Sequence, residues 1–500
     1  MDFLDPVKQR RARLLLIVGY GLIALIIMFA TYILWQVAYG FSYSHGKVVQ
    51  HGLVFLSSQP GNATVYVDNQ PNSATTNTSL LLLAGSHSIK LSEDGYRSWQ
   101  RQIDVIGGDV QRFDYPILFP NVLTAKPLAN LSDLPDIASQ SPDKRWLLIE
   151  QPSDKVVFNL YDLRDNTIPP VKLSLPATAY NSTDSAGSWQ VIGWADDNKH
   201  LLLKHDYVAA GQAAAEYILL DSQTPASSLN LTANLKLAPS VELSLLNNKY
   251  DHYYLSDAAA GTLSSASLGD TVPVLELNHV VAFKPYGSDT LLYVTDQLPK
   301  AQLPAGQVAV VLRQGDKTYV LRQFASGAPN YLLDMATYGD DWYVVLGASG
   351  DKVAYVYKNP QQTAEGSVPR AFRALKVDNP NYVSFSDTAR FIMAENGSNF
   401  SVFDAQTSRT YNYAVKQTLD SPQTHADWMD GDRIMFISGG QLTVLDYDNQ
   451  NLQTLQPASS FYIPFFEPDY RAVYTLAPPV SSAGQSKLQL TYTSLIVLKK

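Results

Sequence analysis

The stretch SPDKRWLLIEQPSDKVVFNLYDLRD (141–165) reads as a tight turn, an apolar strand, a second turn and another apolar strand. Alternating and continuous apolar residues between Pro, Asp and Ser clusters are strand and hairpin signals. The pattern returns in WADDNKHLLL (Asp197), LLNNKYDHYYL (Asn248), KPYGSDTLLYV (Ser288), TYGDDWYVVL (Asp340), FSDTARFIM (Asp387), WMDGDRIMF (Asp430) and EPDYRAVY (Asp469). These turns lie 39 to 54 residues apart, about 47 on average. A third strand follows in most units, as in VAVVLRQGDK, FSVFDAQTS and LTVLDYDNQ. A period of 40–50 residues with four strands per unit predicts a β-propeller. Its expected span is 121–500. The last unit lacks a fourth strand, which LTAKPLANL (Leu123–Leu131) can supply, closing the ring with both chain ends. That gives eight blades, or seven if the irregular unit 240–278 is degenerate.

The turn SPDKRWLLI resembles the Ser-Pro-Asp-Gly turn of TolB-like and WD40-like repeats, a likeness of architecture. In such a ring the loops joining second to third strands, and one blade to the next, emerge on one face. The long segments 176–188, 208–215, 298–307 and 478–486 all fall there, whereas 359–369 falls on the other. Long loops on a rigid scaffold concentrate binding, so that face is where a protein or cell-wall glycan partner is expected.

Ahead of the ring, residues 1–13 carry Lys8, Arg10, Arg11 and Arg13. Leu14 to Gln36 is an uncharged run of 23 residues ending near Tyr32, Trp35 and Tyr39. It is long enough to cross a bilayer as a helix, and longer than the apolar core of a cleaved signal peptide. We expect one membrane anchor over 14–39, with the basic tip 1–13 in the cytoplasm and the rest outside. The formal charge of −9 then divides into a basic tip and an ectodomain of −11.

Residues 50–120 show short strands separated by Pro60-Gly61-Asn62, Asp68-Asn69, Gly85, Asp94-Gly95 and Gly107-Gly108. SQPGNATVYVDNQ, followed by LLAGSHSIKLSEDGYRSW, resembles the PEGA domain at Ser58, Pro60, Ala63, Val65, Tyr66, Val67, Asp68, Gly85, His87, Gly95 and Tyr96. Glycine stands one place early at Gly61, and Asn69 replaces the usual glycine. The resemblance implies a small β-sandwich of bacterial surface proteins and brings no catalytic residues. The segment SEDGYRSW also resembles a sialidase Asp-box with its glycine displaced; we read it as a hairpin turn with Tyr96 and Trp99 in the core.

The fold class is therefore an all-β ectodomain, a PEGA-like sandwich plus a propeller of seven or eight blades, behind a single transmembrane helix. The absence of cysteine excludes disulfides, cysteine-ligated metals and a cysteine nucleophile. An acidic chain offers no basic field for nucleic acid. No phosphate-binding loop, His-Glu-x-x-His site or Gly-x-Ser-x-Gly elbow occurs. Ser44–Lys47 and Ser141–Lys144 match Ser-x-x-Lys by chance, without its companion motifs. His200 and His205 lie on opposite faces of one strand, so no shared metal is expected. The acidic segment 446–451 reads as a solvated hairpin turn, and Trp194, Phe385, Trp428 and Phe466 as packing between blades. No catalytic, cofactor or metal residues are assigned. The expected function is noncatalytic binding or scaffolding at a bacterial surface. The alternatives are a propeller enzyme on surface glycan or peptide, favoured by an acidic or His cluster in the channel, and a tethered assembly factor binding a membrane protein.

Overall fold

The computed structural model describes residues 6–38, 40–44, 47–181, 187–270, 272–298, 302–364, 367–479 and 487–497. The chain divides into two compact units, Met1–Val122 with Ile496–Lys500, and Leu123–Leu495.

The first unit opens with one α-helix, Pro6–Ala38. Proline is tolerated in a first helical turn, so the helix starts ahead of the apolar run and includes the basic cluster. Its segment Arg13–Gln36 has mean hydropathy 2.6 and is long and apolar enough to cross a membrane. Two four-stranded sheets follow. One contains Phe41–Ser44, Lys47–Leu56, Thr78–Leu83 and Val110–Phe113. The other contains Thr64–Val67, Gln70–Thr75, Gly85–Ser92 and Trp99–Val105. Val54, Leu80, Ile89, Leu91, Trp99 and Ile103 share the core between them. Asp68 and Asn69 both take positive φ, 51° and 65°, as a two-residue turn between Val67 and Gln70 requires. Tyr96 and Trp99 are buried beside Gly95, so SEDGYRSW is a structural turn.

The second unit has eight four-stranded antiparallel sheets among the described residues. The first is Ala138–Gln140, Trp146–Gln151, Asp154–Asp162 and Val171–Ser174. The segment 240–278 forms a regular sheet, Val241–Leu245, His252–Asp257, Thr262–Ser267 and Val274–Asn278. In the eighth, Lys126–Leu131 pairs with Leu488–Ser494, so both ends of the unit meet in one sheet.

Consecutive sheets pack face to face. Phe158 of the first meets Trp189 and Leu201 of the second. The same holds for Leu219 with Tyr253, Leu263 with Leu291, Val310 with Leu346, and Val345 with Ile392. The Phe391 ring of the sixth sheet stacks on Tyr447 of the seventh at 4.0 Å. Gln456 of the seventh donates to Thr475 of the eighth at 3.0 Å. Tyr474 and Leu490 of the eighth then pack on Leu147 and Ile149 of the first, which closes a propeller. Covered on both faces, the second strands read as unbroken apolar runs instead of alternating ones. Thr290–Thr295 and Ala472–Ala477 are buried along their whole length.

Candidate functional site at the channel

The first strand of every sheet is the innermost. It starts on the face of the blade-to-blade connections and ends in an Asp turn on the opposite face. At the Asp-turn end, Lys144 reaches across the ring axis. Its ammonium donates to Asp387 Oδ2 at 2.8 Å, to the Met429 carbonyl at 3.2 Å and to the Tyr470 hydroxyl. One lysine thus ties the first sheet to the sixth, seventh and eighth. Burial pulls the Lys144 pKa down, but the hydrogen bonds with Asp387 and Tyr470 outweigh it and hold it above the ordinary lysine value. Ser141 of the same Ser-x-x-Lys match accepts from the Trp146 amide at 2.9 Å, a turn contact. Ser44 and Lys47 are register partners on two paired strands.

Beyond Lys144 lies a cavity of about 640 Å³. Innermost strands of the first, fifth, sixth, seventh and eighth sheets line it, together with the connection Phe461–Pro464. In that connection Phe461 is 60% and Ile463 47% exposed. The carboxylates of Asp136, Asp334, Asp387 and Asp427 point into this wall. Three have a lysine: Lys155 on Asp136 at 2.6 Å, Lys284 on Asp334 at 3.2 Å and Lys144 on Asp387 at 2.8 Å. Asp427 has no cation partner among the described residues. His425 Nε2 lies 3.7 Å from it. Burial lowers the His425 pKa, so that ring is neutral at pH 7. Burial also pushes Asp427 up to about 6, so it is mostly ionised there.

Aromatic groups surround this carboxylate. Tyr382 stacks on His425 with ring centroids 3.9 Å apart, and its hydroxyl makes no hydrogen bond among the described residues. Trp428 Nε1 donates to Ser384 Oγ at 3.0 Å, as Trp194 Nε1 does to Ser139 Oγ at 3.0 Å. The recurring tryptophans therefore join neighbouring sheets, as expected. Trp428, Phe385 and Phe466 line the cavity as well, which the packing reading did not include. Behind them the buried Glu395 accepts from the amides of Ala426 and Gly397 at 2.6 and 3.0 Å, fixing the backbone beside Asp427. Burial pushes its pKa up to about 8.

The other singled-out residues lie elsewhere. His200 pairs with Asp197 at 2.6 Å, and His205 with buried Glu216 at 2.8 Å, so they share no ligand position. Glu216 also accepts from the Asn181 amide at 2.8 Å, which anchors the start of the segment 176–188. No group of three or more His, Cys, Asp or Glu is disposed to hold a metal among the described residues. Segment 446–451 is the expected hairpin turn, but Asp446 is buried, not solvated, and accepts from Asn451 Nδ2 at 2.8 Å. Of the predicted loops, 208–215 is instead the tip of a hairpin: His200–Ala209 and Gln212–Asp221 pair through it and leave only Ala210 and Gly211 as a turn. Residues 182–186, 299–301 and 480–486 of the others lie outside the described residues, as do 365–366 of 359–369. The sequence reading missed Glu395 and Asp427, and it set Lys144 aside as part of a chance Ser-x-x-Lys match. The one signal for Asp427 was its place on an innermost strand, two residues before a repeat turn.

Residues 51–118 match the PEGA domain. No curated protein matches the chain in sequence. Among solved structures, Kluyveromyces lactis Hsv2 is similar at 12% identity and TM-score 0.40, over 66% of this chain and 98% of that one. The Cps50 (Swd1) β-propeller domain of Myceliophteria thermophila is similar at 13% identity and TM-score 0.37, over 67% of this chain and 100% of that one. The oligogalacturonate lyase of Vibrio parahaemolyticus is similar at 11% identity and TM-score 0.38, over 72% of this chain and 98% of that one. Likenesses this distant carry no argument about function.

Proposed function

We propose that this chain is a membrane-anchored binding protein of a bacterial surface. Its helix holds the N-terminus in the cytoplasm, and an eight-bladed ring outside receives a protein or glycan partner at the channel mouth. The observation that carries this reading is the single uncompensated carboxylate, Asp427, set in an aromatic cavity. A carboxylate beside aromatic faces suits a partner's ammonium or guanidinium group, through charge and cation–π attraction together. Phe461–Pro464, which lines the cavity, belongs to the connection between the seventh and eighth sheets, on the face where a partner is expected.

A photo-crosslinking side chain at Phe461 tests this in intact cells. It should capture a partner, and Asp427→Asn should abolish capture. Capture only from the opposite face, at Asp340, would sink the proposal. The four channel carboxylates are the feature that favours an enzyme acting on surface glycan or peptide. Lysines pair with three of them, which holds those carboxylates ionised and leaves Asp427 as the cavity carboxylate without a cation among the described residues. Turnover of cell-wall glycan that disappears in Asp427→Asn would decide for the enzyme.

A further inference from the structure

The first unit carries an apolar surface that its own core leaves uncovered. In the sheet containing Lys47–Leu56, Val54, Leu56 and Leu80 point into the core. The opposite face is set by register. Leu53 lies opposite Leu81, His51 opposite Leu83, and Val110 beside Leu53. Leu81 is 65% exposed, Leu83 46%, Val110 51%, and Ile106, in the adjoining turn, 51%. Buried strands alternate inward apolar with outward polar residues when the outer face meets water, and here the outer positions are apolar.

The apolar character is graded along the strands. One row further on, the same face presents Ser79, Phe55 and Arg112, with the guanidinium 4.2 Å above the Phe55 ring. The apolar end is the one where the chain leaves the helix. The His51 amide donates to the Gly40 carbonyl at 2.8 Å, and the Gly108 amide to the His51 carbonyl at 2.8 Å. Gly40 stands two residues after the last helical residue, Ala38, so the patch is tethered within roughly 10 Å of the helix end. A patch of exposed leucine, isoleucine and valine this close to a membrane-spanning segment meets lipid before it meets any diffusing partner.

We propose that Leu53, Leu81, Leu83, Ile106 and Val110 seat the sandwich on the outer leaflet of the bilayer that the helix crosses. The sandwich then dips the helix-proximal end of this face into lipid, and Arg112 and Ser79, one row further along the same face, stand at the water boundary. This rests on the reading of the helix as an anchor, and the test separates the two.

The chain has no cysteine, so single cysteines introduce one label each. Full-length Leu81→Cys, Ile106→Cys, Ser79→Cys and Val122→Cys, each carrying an environment-sensitive fluorophore, are reconstituted in phosphatidylcholine–phosphatidylglycerol vesicles with brominated acyl chains. Bromolipid should quench the labels at 81 and 106 several-fold more than those at 79 and 122. Protein that floats with vesicles after an alkaline wash, yet shows equal weak quenching at all four sites, overturns the seating and leaves the anchor. A blue-shifted label at 81 that bromolipid does not quench reports protein contact and also overturns it. Protein that fails to float overturns the anchor and the seating with it.

Discussion

Glu395 holds its proton at neutral pH because burial raises its pKa from 4.5 to about 8. The folded state therefore keeps a proton that the unfolded chain releases across that window. Stability should be greatest below 4.5, fall as pH rises to about 8, and level off beyond. Glu395→Gln should flatten this slope in urea denaturation at the cost of one amide hydrogen bond, because its single side-chain oxygen replaces the two that accept from Ala426 and Gly397. Glu395→Ala should cost about 2 kcal/mol by leaving those amides unpaired. His87 gives the same pH sense, through a proton that makes it charged instead of neutral. Its Nδ1 lies 2.7 Å from Asp68 Oδ2 and its Nε2 2.9 Å from the Leu83 carbonyl, so both nitrogens face acceptors and the imidazolium fits best. Burial works against that charge, but the hydrogen bond to Asp68 outweighs it and raises the pKa above 6.5. The stabilisation is full below 6.5 and is lost as pH rises through the folded value. NMR titration should place His87 above 6.5, and Asp68→Asn should remove that rise. The PEGA resemblance picked out Asp68 and His87 as motif positions; their pairing came into view only when Gly85–Ser92 lay beside Thr64–Val67.

The strands were legible because each sheet is sandwiched between two others, so its second strand must be apolar throughout, and such runs stand out in sequence. The closing strand was legible because one unit fell a strand short and one orphan strand preceded the ring. The channel was not legible. Lys144 and Asp387 are 243 residues apart, and no local period relates them. Their contact follows from ring closure alone. The prediction at this scale concerns that closure. Leu490 is fully buried between the eighth and first sheets, so Leu490→Ala should cost about 3 kcal/mol in denaturant midpoint analysis. Lys144→Met should cost less, about 1 kcal/mol, because Asp387 is 46% exposed and rehydrates when its partner goes. A larger loss for Lys144→Met than for Leu490→Ala would mean that the axial contact, not the strand pairing, holds the ring.

At the scale of the molecule, a chain without cysteine closes a ring of eight sheets by one strand pairing. Every other sheet is contiguous in sequence, so only the eighth couples the two ends of the unit. Gln489 and Asn130 are register partners there, 359 residues apart, and their side chains hydrogen bond at 2.7 Å. A disulfide at this pair, Asn130→Cys with Gln489→Cys, would tie off nearly the whole ring in the unfolded state. Loop-closure entropy for so long a loop amounts to about 6 kcal/mol, the upper bound for the stabilisation. The oxidised double variant should therefore melt well above its reduced form, and Leu490→Ala should be largely rescued by oxidation. Rescue is the sharper readout. Because the link acts on the unfolded chain, it should raise the parent and Leu490→Ala alike, and a gain confined to the parent would place its effect in the native eighth sheet. If ring opening is the first step of unfolding, the link blocks that step directly, and unfolding should slow by more than the equilibrium gain alone requires.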